Sequence, residues 1–242
     1  DGIRDRDVTG VQTCALPIYV SFTVRPGERV GIVGATGSGK TTLINLLLRF
    51  YDVQRGRVTI DGVDVRELDL ADLRALFSLV LQDVHIFSGT IADNIRLGHA
   101  GITDEQVRAA ARAVHADGFI ERLPEGFSAH VAERGSTLSV GQKQLLSFAR
   151  ALAFDPRVLI LDEATSSVDI QTEARIEEAL QRLLAGRTAF VVAHRLSTIR
   201  NADLIVVLEH GRVVEAGSHD ELLDRDGRYR ALYGDWAEAV AR

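Results

Sequence analysis

Hydrophobic residues along the chain form short apolar runs and helical stripes, separated by glycine, proline and charged turns. The runs are four or five residues long, which is typical of buried strands, and they lie at 29–33, 158–161, 188–192 and 204–208. Between the second and third runs, Ile176, Ala179, Leu180 and Leu183 recur at helical spacing, and Gly186 ends this helix. Strands that alternate with helices in this way predict an α/β fold with a parallel sheet covered by helices.

Further elements follow from local signals. Residues 41–50 are apolar almost all round, which predicts a buried helix, and residues 139–154 predict another helix. Capping boxes at Thr103 and Ser218 predict two more helix starts, and a last helix is predicted over 229–240. Asp61-Gly62 between two short apolar runs predicts a hairpin turn.

The first eighteen residues have a different character. Residues 1–7 alternate in charge, and residues 8–18 show neither the helical nor the strand period. Residues 2–18 resemble a translated sequencing adapter joined in frame to a truncated gene; the alternative is a disordered natural terminus. Because the chain also contains 0 methionines, we expect a piece of a longer protein, with residues 1–18 non-native and the authentic sequence starting near Tyr19.

Composition excludes several classes of protein. The net charge of −6 gives no general basic field, so we expect no nucleic-acid partner. The single cysteine excludes a disulfide framework and a cysteine-rich zinc site. The longest uncharged run, 8–24, contains several polar residues and is shorter than the ~20 apolar residues that a membrane span needs.

A complete phosphate-loop motif, G-x-x-x-x-G-K-[ST], follows the run at 29–33 and precedes a predicted helix. Its residues, with the threonine that follows, are Gly34, Ala35, Thr36, Gly37, Ser38, Gly39, Lys40, Thr41 and Thr42. Glycines let backbone N–H groups surround the β- and γ-phosphates at a helix N-terminus. Lys40 would neutralise phosphate charge, and the Thr41 hydroxyl would bind Mg²⁺. The motif therefore predicts ATP and Mg²⁺ as ligands.

Two carboxylates follow the apolar run at 158–161. Asp162 and Glu163 would lie at the carboxyl edge of the sheet, where ligands bind in open α/β folds. Asp162 is a candidate Mg²⁺ ligand, and Glu163 is a candidate catalytic base that polarises the attacking water.

The segment Leu138-Ser-Val-Gly-Gln142, directly before a predicted helix, resembles the signature motif of ATP-binding-cassette (ABC) ATPases. In that family the motif contacts the γ-phosphate of the nucleotide held by the opposite subunit. Ser139, Gly141 and Gln142 match it, whereas the common form has glycine in place of Val140. Ser139 can cap the helix and leave its first N–H groups to meet an anion.

The ABC resemblance implies a P-loop NTPase (RecA-like) core with a parallel sheet, a small antiparallel β lobe and an α-helical lobe over about 83–155. It implies that the ATPase domain covers 19–242. It also implies roles for three more residues: Gln82 would reach Mg²⁺ and take part in catalysis, Asp169 would lie at the dimer interface, and His194 would contact the γ-phosphate. The aromatic residue on which adenine stacks in this family would fall in the adapter-like region.

Three stretches resemble exporter-type cassettes: 87–95, which resembles the segment that meets the transmembrane domain, Glu133-Arg-Gly135, and 207–223. The resemblance implies an ATP-hydrolysing motor on the cytoplasmic face of the cell membrane. Its partners would be a second nucleotide-binding domain, identical or related, and a transmembrane domain in the same full-length chain. Two alternatives are a soluble ABC ATPase without a transport role and a non-hydrolytic regulatory ABC partner. A P-loop kinase would have no use for the signature motif.

Overall fold

The computed structural model describes residues 9–11, 20–81, 83–162, 170–192 and 196–240. The strands in these ranges are β1 (Thr9–Val11), β2 (Val20–Phe22), β3 (Arg29–Val33), β4 (Thr59–Ile60), β5 (Val63–Asp64), β6 (Phe77–Val80), β7 (Gly89–Thr90), β8 (His130–Val131), β9 (Val158–Asp162), β10 (Thr188–Val192), β11 (Leu204–Glu209) and β12 (Arg212–Gly217). The α-helices are α1 (Lys40–Leu47), α2 (Leu70–Ala75), α3 (Ile91–Arg96), α4 (Asp104–Ala113), α5 (Asp117–Ile120), α6 (Val140–Ala153), α7 (Ile170–Leu184), α8 (Leu196–Arg200), α9 (His219–Asp224) and α10 (Arg228–Val240).

The main sheet of the described chain has the strand order β12-β11-β3-β10-β9-β6. Strand β3 pairs in parallel with β10 on one side and with β11 on the other, and β11 pairs antiparallel with β12. Residues Val30, Ile32 and Val33 of β3 are fully buried, because this strand lies inside the sheet and carries apolar side chains on both faces. The predicted α/β class with a parallel sheet is therefore confirmed.

The chain forms two compact units. The first contains the described residues from 9 to 77, from 160 to 162 and from 188 to 240; the second contains those from 78 to 159 and from 170 to 187. In the first unit the core lies on β3, β10 and β11, and Phe22 contacts Phe190 edge to face. In the second unit α6 packs against α3, α4 and α7. The buried stripe of α7 contains Ile176, Ala179, Leu180 and Leu183, as the spacing predicts.

Small antiparallel pairs accompany the sheet, as predicted: β4 pairs with β5 and β7 with β8. Strand β1 also pairs with β2, although residues 8–18 carry no strand period. Backbone hydrogen bonds form this pair, and they do not require an alternating side-chain pattern.

The first predicted helix is shorter than the apolar pattern suggests. It ends at Leu47 rather than at Phe50, because Arg49 adopts a positive φ of 50° and the Phe50 N–H donates to the Asn45 carbonyl at 2.8 Å. The Arg49 guanidinium donates to the carbonyls of Val65 and Leu68, at 3.1 and 3.0 Å. This tertiary contact, which sequence spacing does not report, accompanies the helix end.

Four short helices and the strands β6 and β12 were not predicted from the sequence pattern. Helices α2, α3, α5 and α8 have four to six residues, which is too short for a helical period to be read. Capping nevertheless marks two of them: Asp69 caps α2, and Thr90 forms a capping box with Asp93 at α3.

Candidate nucleotide-binding site

The phosphate loop joins the end of β3 to the start of α1, the context that the motif requires. Three of its glycines have positive φ: Gly34 at 154°, Gly37 at 80° and Gly39 at 106°. At Gly34 there is also no space for a side chain, because an added Cβ would lie 2.3 Å from the Leu208 carbonyl oxygen and 2.6 Å from Ser38 Oγ. The residues Gly34, Ala35, Thr36, Gly37, Ser38 and Gly39 thus form a tight turn in which backbone packs on backbone.

Helix α1 presents an uncapped N-terminus beside this loop. Its N-cap is Gly39, whose lack of a side chain leaves the first turn without a side-chain cap, and there is no acidic residue in that turn. The first N–H groups of a helix have no acceptor within it and form the positive end of the helix dipole. Leu43 and Leu47 are buried and anchor the helix in the core. These N–H groups are therefore held in place and suited to an anion.

Lys40 supplies a positive charge over the loop. Its Nζ donates to the carbonyl oxygens of Gly34 at 2.7 Å and of Ala35 at 3.0 Å. Burial lowers the pKa of Lys40, and the carboxylate of Asp162 acts in the opposite direction. A phosphate group bound here would add negative charge beside the ammonium and stabilise its charged form.

The predicted metal ligands are only partly described. Thr41 is exposed in the first turn of α1, and Asp162 is half-buried at the end of β9. Both belong to the first unit, and the carboxylate of Asp162 raises the pKa of Lys40, which indicates that the two charges lie near each other. A hydroxyl and a carboxylate are oxygen ligands of the kind that Mg²⁺ prefers. Among the described residues, no group of three His, Cys, Asp or Glu side chains could hold a metal ion.

The remaining predicted residues of this site lie outside the described ranges. They are Gln82, Glu163, Asp169 and His194. Glu163 directly follows β9 in the sequence, and His194 follows two residues after the end of β10. Their catalytic, metal-binding and interface roles stay predictions.

The signature-like segment begins α6 in the second unit. Ser139 is the N-cap: its Oγ accepts from the Gln142 N–H at 3.2 Å, while Gln142 Oε1 accepts from the Ser139 N–H at 2.9 Å. This reciprocal pair is a capping box. The capping box uses the Gln142 N–H. The N–H groups of Val140 and Gly141 are not part of the box, so these two first-turn donors could bind an anion. Gly141 is buried, and Val140 is 51% exposed.

Two structural features near these motifs are not evident from the sequence. The Gly211 N–H donates to the Ser38 carbonyl at 2.9 Å, so the β11–β12 turn supports the phosphate loop from behind. The sequence signal for this turn is a glycine three residues after the apolar run at 204–208. Ser38 Oγ is buried and has no hydrogen-bond partner within the described chain. It lines a small, mostly apolar cavity together with Val20, Leu46 and Leu208.

The second feature is a polar network in the other unit. Asn94 is 2% exposed, and its side chain exchanges two hydrogen bonds with the Phe87 backbone and donates to the Thr90 carbonyl. Arg150 of α6 donates to the Asn94 and His85 carbonyls. Burial lowers the pKa of this guanidinium. The network fixes residues 85–90, which overlap the exporter-like stretch at 87–95.

The loop Glu133–Gly135 also packs on this segment. The Arg134 N–H donates to the Ile86 carbonyl at 2.8 Å, and an added Cβ at Gly135 would lie 3.1 Å from the Ile86 side chain. The acidic-arginine-glycine triplet is thus part of a packed loop. Whether it meets another protein stays a prediction.

Comparison with known proteins agrees with these features. The family model described as "ABC transporter" matches residues 19–166. A relative from Bacillus subtilis, the uncharacterized ABC transporter ATP-binding protein YknV, is 56% identical over 213 residues, which cover 88% of this chain and 35% of the relative. The ATP-dependent lipid A-core flippase of Methylobacillus flagellatus is 53% identical over 215 residues, covering 88% of this chain and 37% of the flippase.

A solved structure of a bacterial Atm1-family ABC exporter with ATP bound has a TM-score of 0.83 and 42% sequence identity. The match covers 97% of this chain and 41% of the exporter chain. Against both curated relatives, too, the chain spans little more than a third of their length. None of the helices in the described ranges combines the length and the apolar character that a membrane span requires.

This P-loop ABC ATPase fold contains the phosphate loop, the carboxylate that ends β9 and the capped signature helix. The family model covers well over half of the sequence. This chain belongs to the ABC transporter family.

Proposed function

We propose that this chain is the ATP-binding and ATP-hydrolysing motor domain of an ABC exporter, coupling ATP-driven dimerisation and hydrolysis to substrate efflux across a membrane. The geometry of the phosphate loop is the observation that carries the proposal: three positive-φ glycines, an uncapped helix and the Lys40 ammonium share one site. The names of the relatives, which include a flippase and ATP-binding/permease proteins, support the transport context.

Binding follows from the loop. The N–H groups at the start of α1 and the Lys40 ammonium attract the phosphate chain of ATP. Lys40 exchanges its contacts with the Gly34 and Ala35 carbonyls for phosphate oxygens, so its charge stays in the same place. Thr41, Asp162 and Gln82 would hold Mg²⁺, which neutralises charge on the phosphates.

Hydrolysis is assigned to residues next to the carboxyl ends of two strands. Glu163 would accept a proton from the attacking water while the water oxygen bonds to the γ-phosphorus and the bond to the bridging oxygen breaks. ADP and inorganic phosphate leave. His194 would contact the γ-phosphate and hold it in line for the attack.

A complete site would need two copies, or one copy and a related partner. The first would contribute the phosphate loop with Lys40 and Thr41, and the second would contribute Ser139, Gly141 and Gln142 at the N-terminus of its α6. The free N–H groups of that helix would meet the γ-phosphate, and Asp169 would lie at the interface. Closure with ATP and reopening after hydrolysis would move a transmembrane domain of the full-length chain, on the cytoplasmic face of the membrane.

The test is Glu163→Gln in the 242-residue chain. We expect ATP to bind and the dimer to accumulate with little turnover, because the amide cannot accept the proton from water. Size-exclusion chromatography with ATP and a phosphate-release assay measure the two effects. Glu105→Gln, at an exposed position of α4, is the control and should behave as the unmodified chain. Unchanged phosphate release in Glu163→Gln would contradict the assignment of Glu163.

A further inference from the structure

The phosphate loop has few hydrogen bonds of its own. Within it, the Ser38 N–H donates to the Ala35 carbonyl at 3.1 Å, and Lys40 Nζ contacts the Gly34 and Ala35 carbonyls. The Lys40 contacts are the ones that a phosphate would replace. Helix α1 holds the next carbonyl along the chain, since the Leu43 N–H donates to the Gly39 carbonyl at 2.9 Å. Among the described residues, the Ser38 carbonyl is held by a different element.

The β11–β12 turn is placed to do this. Glu209 pairs with Arg212, so the turn consists of His210 and Gly211, at φ of 48° and 75°. Two positive φ values are typical of a type I′ hairpin, whose central N–H groups are not used by the ladder. In this turn the Gly211 N–H donates to the Ser38 carbonyl at 2.9 Å.

That bond determines the direction of a second group. In a trans peptide the carbonyl and the N–H point in opposite directions. With the Ser38 carbonyl directed to the turn, the Gly39 N–H points away from the turn. In the proposed binding mode, that is the side of the phosphates. If the peptide rotated by half a turn, a carbonyl oxygen would face the phosphates instead and repel them.

The rotation would change ψ of Ser38 together with φ of Gly39. Residues other than glycine adopt both helical and extended ψ, and glycine adopts positive and negative φ with similar ease, so backbone torsional preferences do not prevent the rotation. The turn also approaches closely, since an added Cβ at Gly39 would lie 3.5 Å from the Gly211 Cα. Both the hydrogen bond and the contact depend on Gly211 keeping its conformation.

We propose that Gly211 is a positioning residue for nucleotide binding: its N–H holds the Ser38–Gly39 peptide so that the Gly39 N–H faces the phosphates. This rests on the proposed ATP-binding function. Gly211 itself does not touch the nucleotide; it acts through the loop from behind.

The chain offers a matched control turn. Asp61 and Gly62, at φ of 50° and 83°, form the same kind of two-residue turn between β4 and β5. An added Cβ at Gly62 would meet nothing within 4 Å. Alanine at either glycine carries a similar backbone strain. Gly211 is buried and bonds to the loop, whereas Gly62 is exposed and does not.

The experiment compares Gly211→Ala with Gly62→Ala by titration calorimetry with Mg-ATP and with ADP, at a temperature where thermal unfolding curves show both variants folded. Gly211→Ala should weaken binding about tenfold or more, since a hydrogen bond to a charged phosphate is lost or misdirected. Gly62→Ala should bind within about twofold of the unmodified chain, because surface changes away from such features have small effects. Equal binding by both variants would overturn the proposal, whereas failure of the unmodified chain to bind ATP would instead contradict the proposed function.

A measurement on the unmodified chain covers the case in which Gly211→Ala does not fold. Amide hydrogen exchange of the Gly211 N–H, followed by NMR without nucleotide, should be slow, and that of the Gly62 N–H should be fast. Fast exchange at Gly211 would show that the turn does not hold the loop before the nucleotide arrives, and it would overturn the inference.

Discussion

Asn94 is the residue whose replacement gives the clearest test of the second unit. Its carboxamide makes three hydrogen bonds to backbone: it accepts from the Phe87 N–H at 2.9 Å and donates to the Phe87 and Thr90 carbonyls at 2.9 and 3.0 Å. With only 2% of the residue exposed, water cannot reach these groups easily. Asn94→Ala removes all three side-chain bonds: the Phe87 N–H and carbonyl lose this partner, and the Thr90 carbonyl, the N-cap carbonyl of α3, is left with the helical bond alone.

The expected magnitude follows from these bonds. Each net contribution is about 1 kcal/mol, so three amount to about 3 kcal/mol. Alanine has a higher helix propensity than asparagine, which stabilises α3 by about 0.5 kcal/mol and partly offsets this loss. The free energy of unfolding should therefore fall by about 2.5 kcal/mol.

Urea unfolding followed by circular dichroism measures this change. Asn201→Ala, at an exposed turn position after α8, is the control and should change the free energy of unfolding by less than about 0.5 kcal/mol. The slope of the free energy of unfolding against urea concentration must be the same in both variants as in the unmodified chain, because a changed slope would mean that the unfolded or the folded state has changed in compactness. A loss smaller than about 1 kcal/mol in Asn94→Ala would refute the argument that these three bonds stabilise the 85–90 segment.

Two further predictions concern a packed glycine and a titrating carboxylate. Gly135→Ala should lower the free energy of unfolding, measured by urea titration, by about 1 kcal/mol more than Gly126→Ala does. Both glycines have similar positive φ, 57° and 54°, but only Gly135 packs tightly on Ile86. Equal losses would contradict the packing argument. The hydrogen bond from Arg66 lowers the pKa of the Asp64 carboxyl. The ionised carboxylate therefore stabilises the folded state at neutral pH, and this stabilisation is lost as the pH falls through the lowered pKa. Asp64→Ala should therefore be less stable than the unmodified chain by about 1 kcal/mol at pH 7, and the difference should shrink in acid; a difference that is constant from pH 7 down to pH 2 would exclude the carboxylate as its source.

Much of the fold could be predicted because its elements are long and their patterns local. The runs that became β3, β9, β10 and β11 are apolar on both faces, and they coincide with the observed strands to within a residue at either end. Capping boxes at Thr103, Ser139 and Ser218 form within four residues, so the sequence determines them directly. The phosphate loop is equally local: its three glycines and Lys40 lie within seven consecutive residues, between an apolar run and a helical pattern that predicted the strand and the helix on either side.

Other features depend on residues far apart in the sequence. The support of Ser38 by Gly211 joins positions 173 residues apart and uses backbone atoms, which every residue carries. Asn94 and Arg150 are 56 residues apart in the sequence, and their hydrogen bond forms because α3 packs against α6. The end of α1 at Leu47 likewise accompanies contacts from Arg49 to distant carbonyls.

The sequence by itself determined which chemistry this protein carries, because phosphate binding requires particular residue types at fixed, short spacings. Only the tertiary structure decided what holds those residues in place. Packing brings distant backbone groups within hydrogen-bond distance, and such partners leave no periodic pattern along the chain.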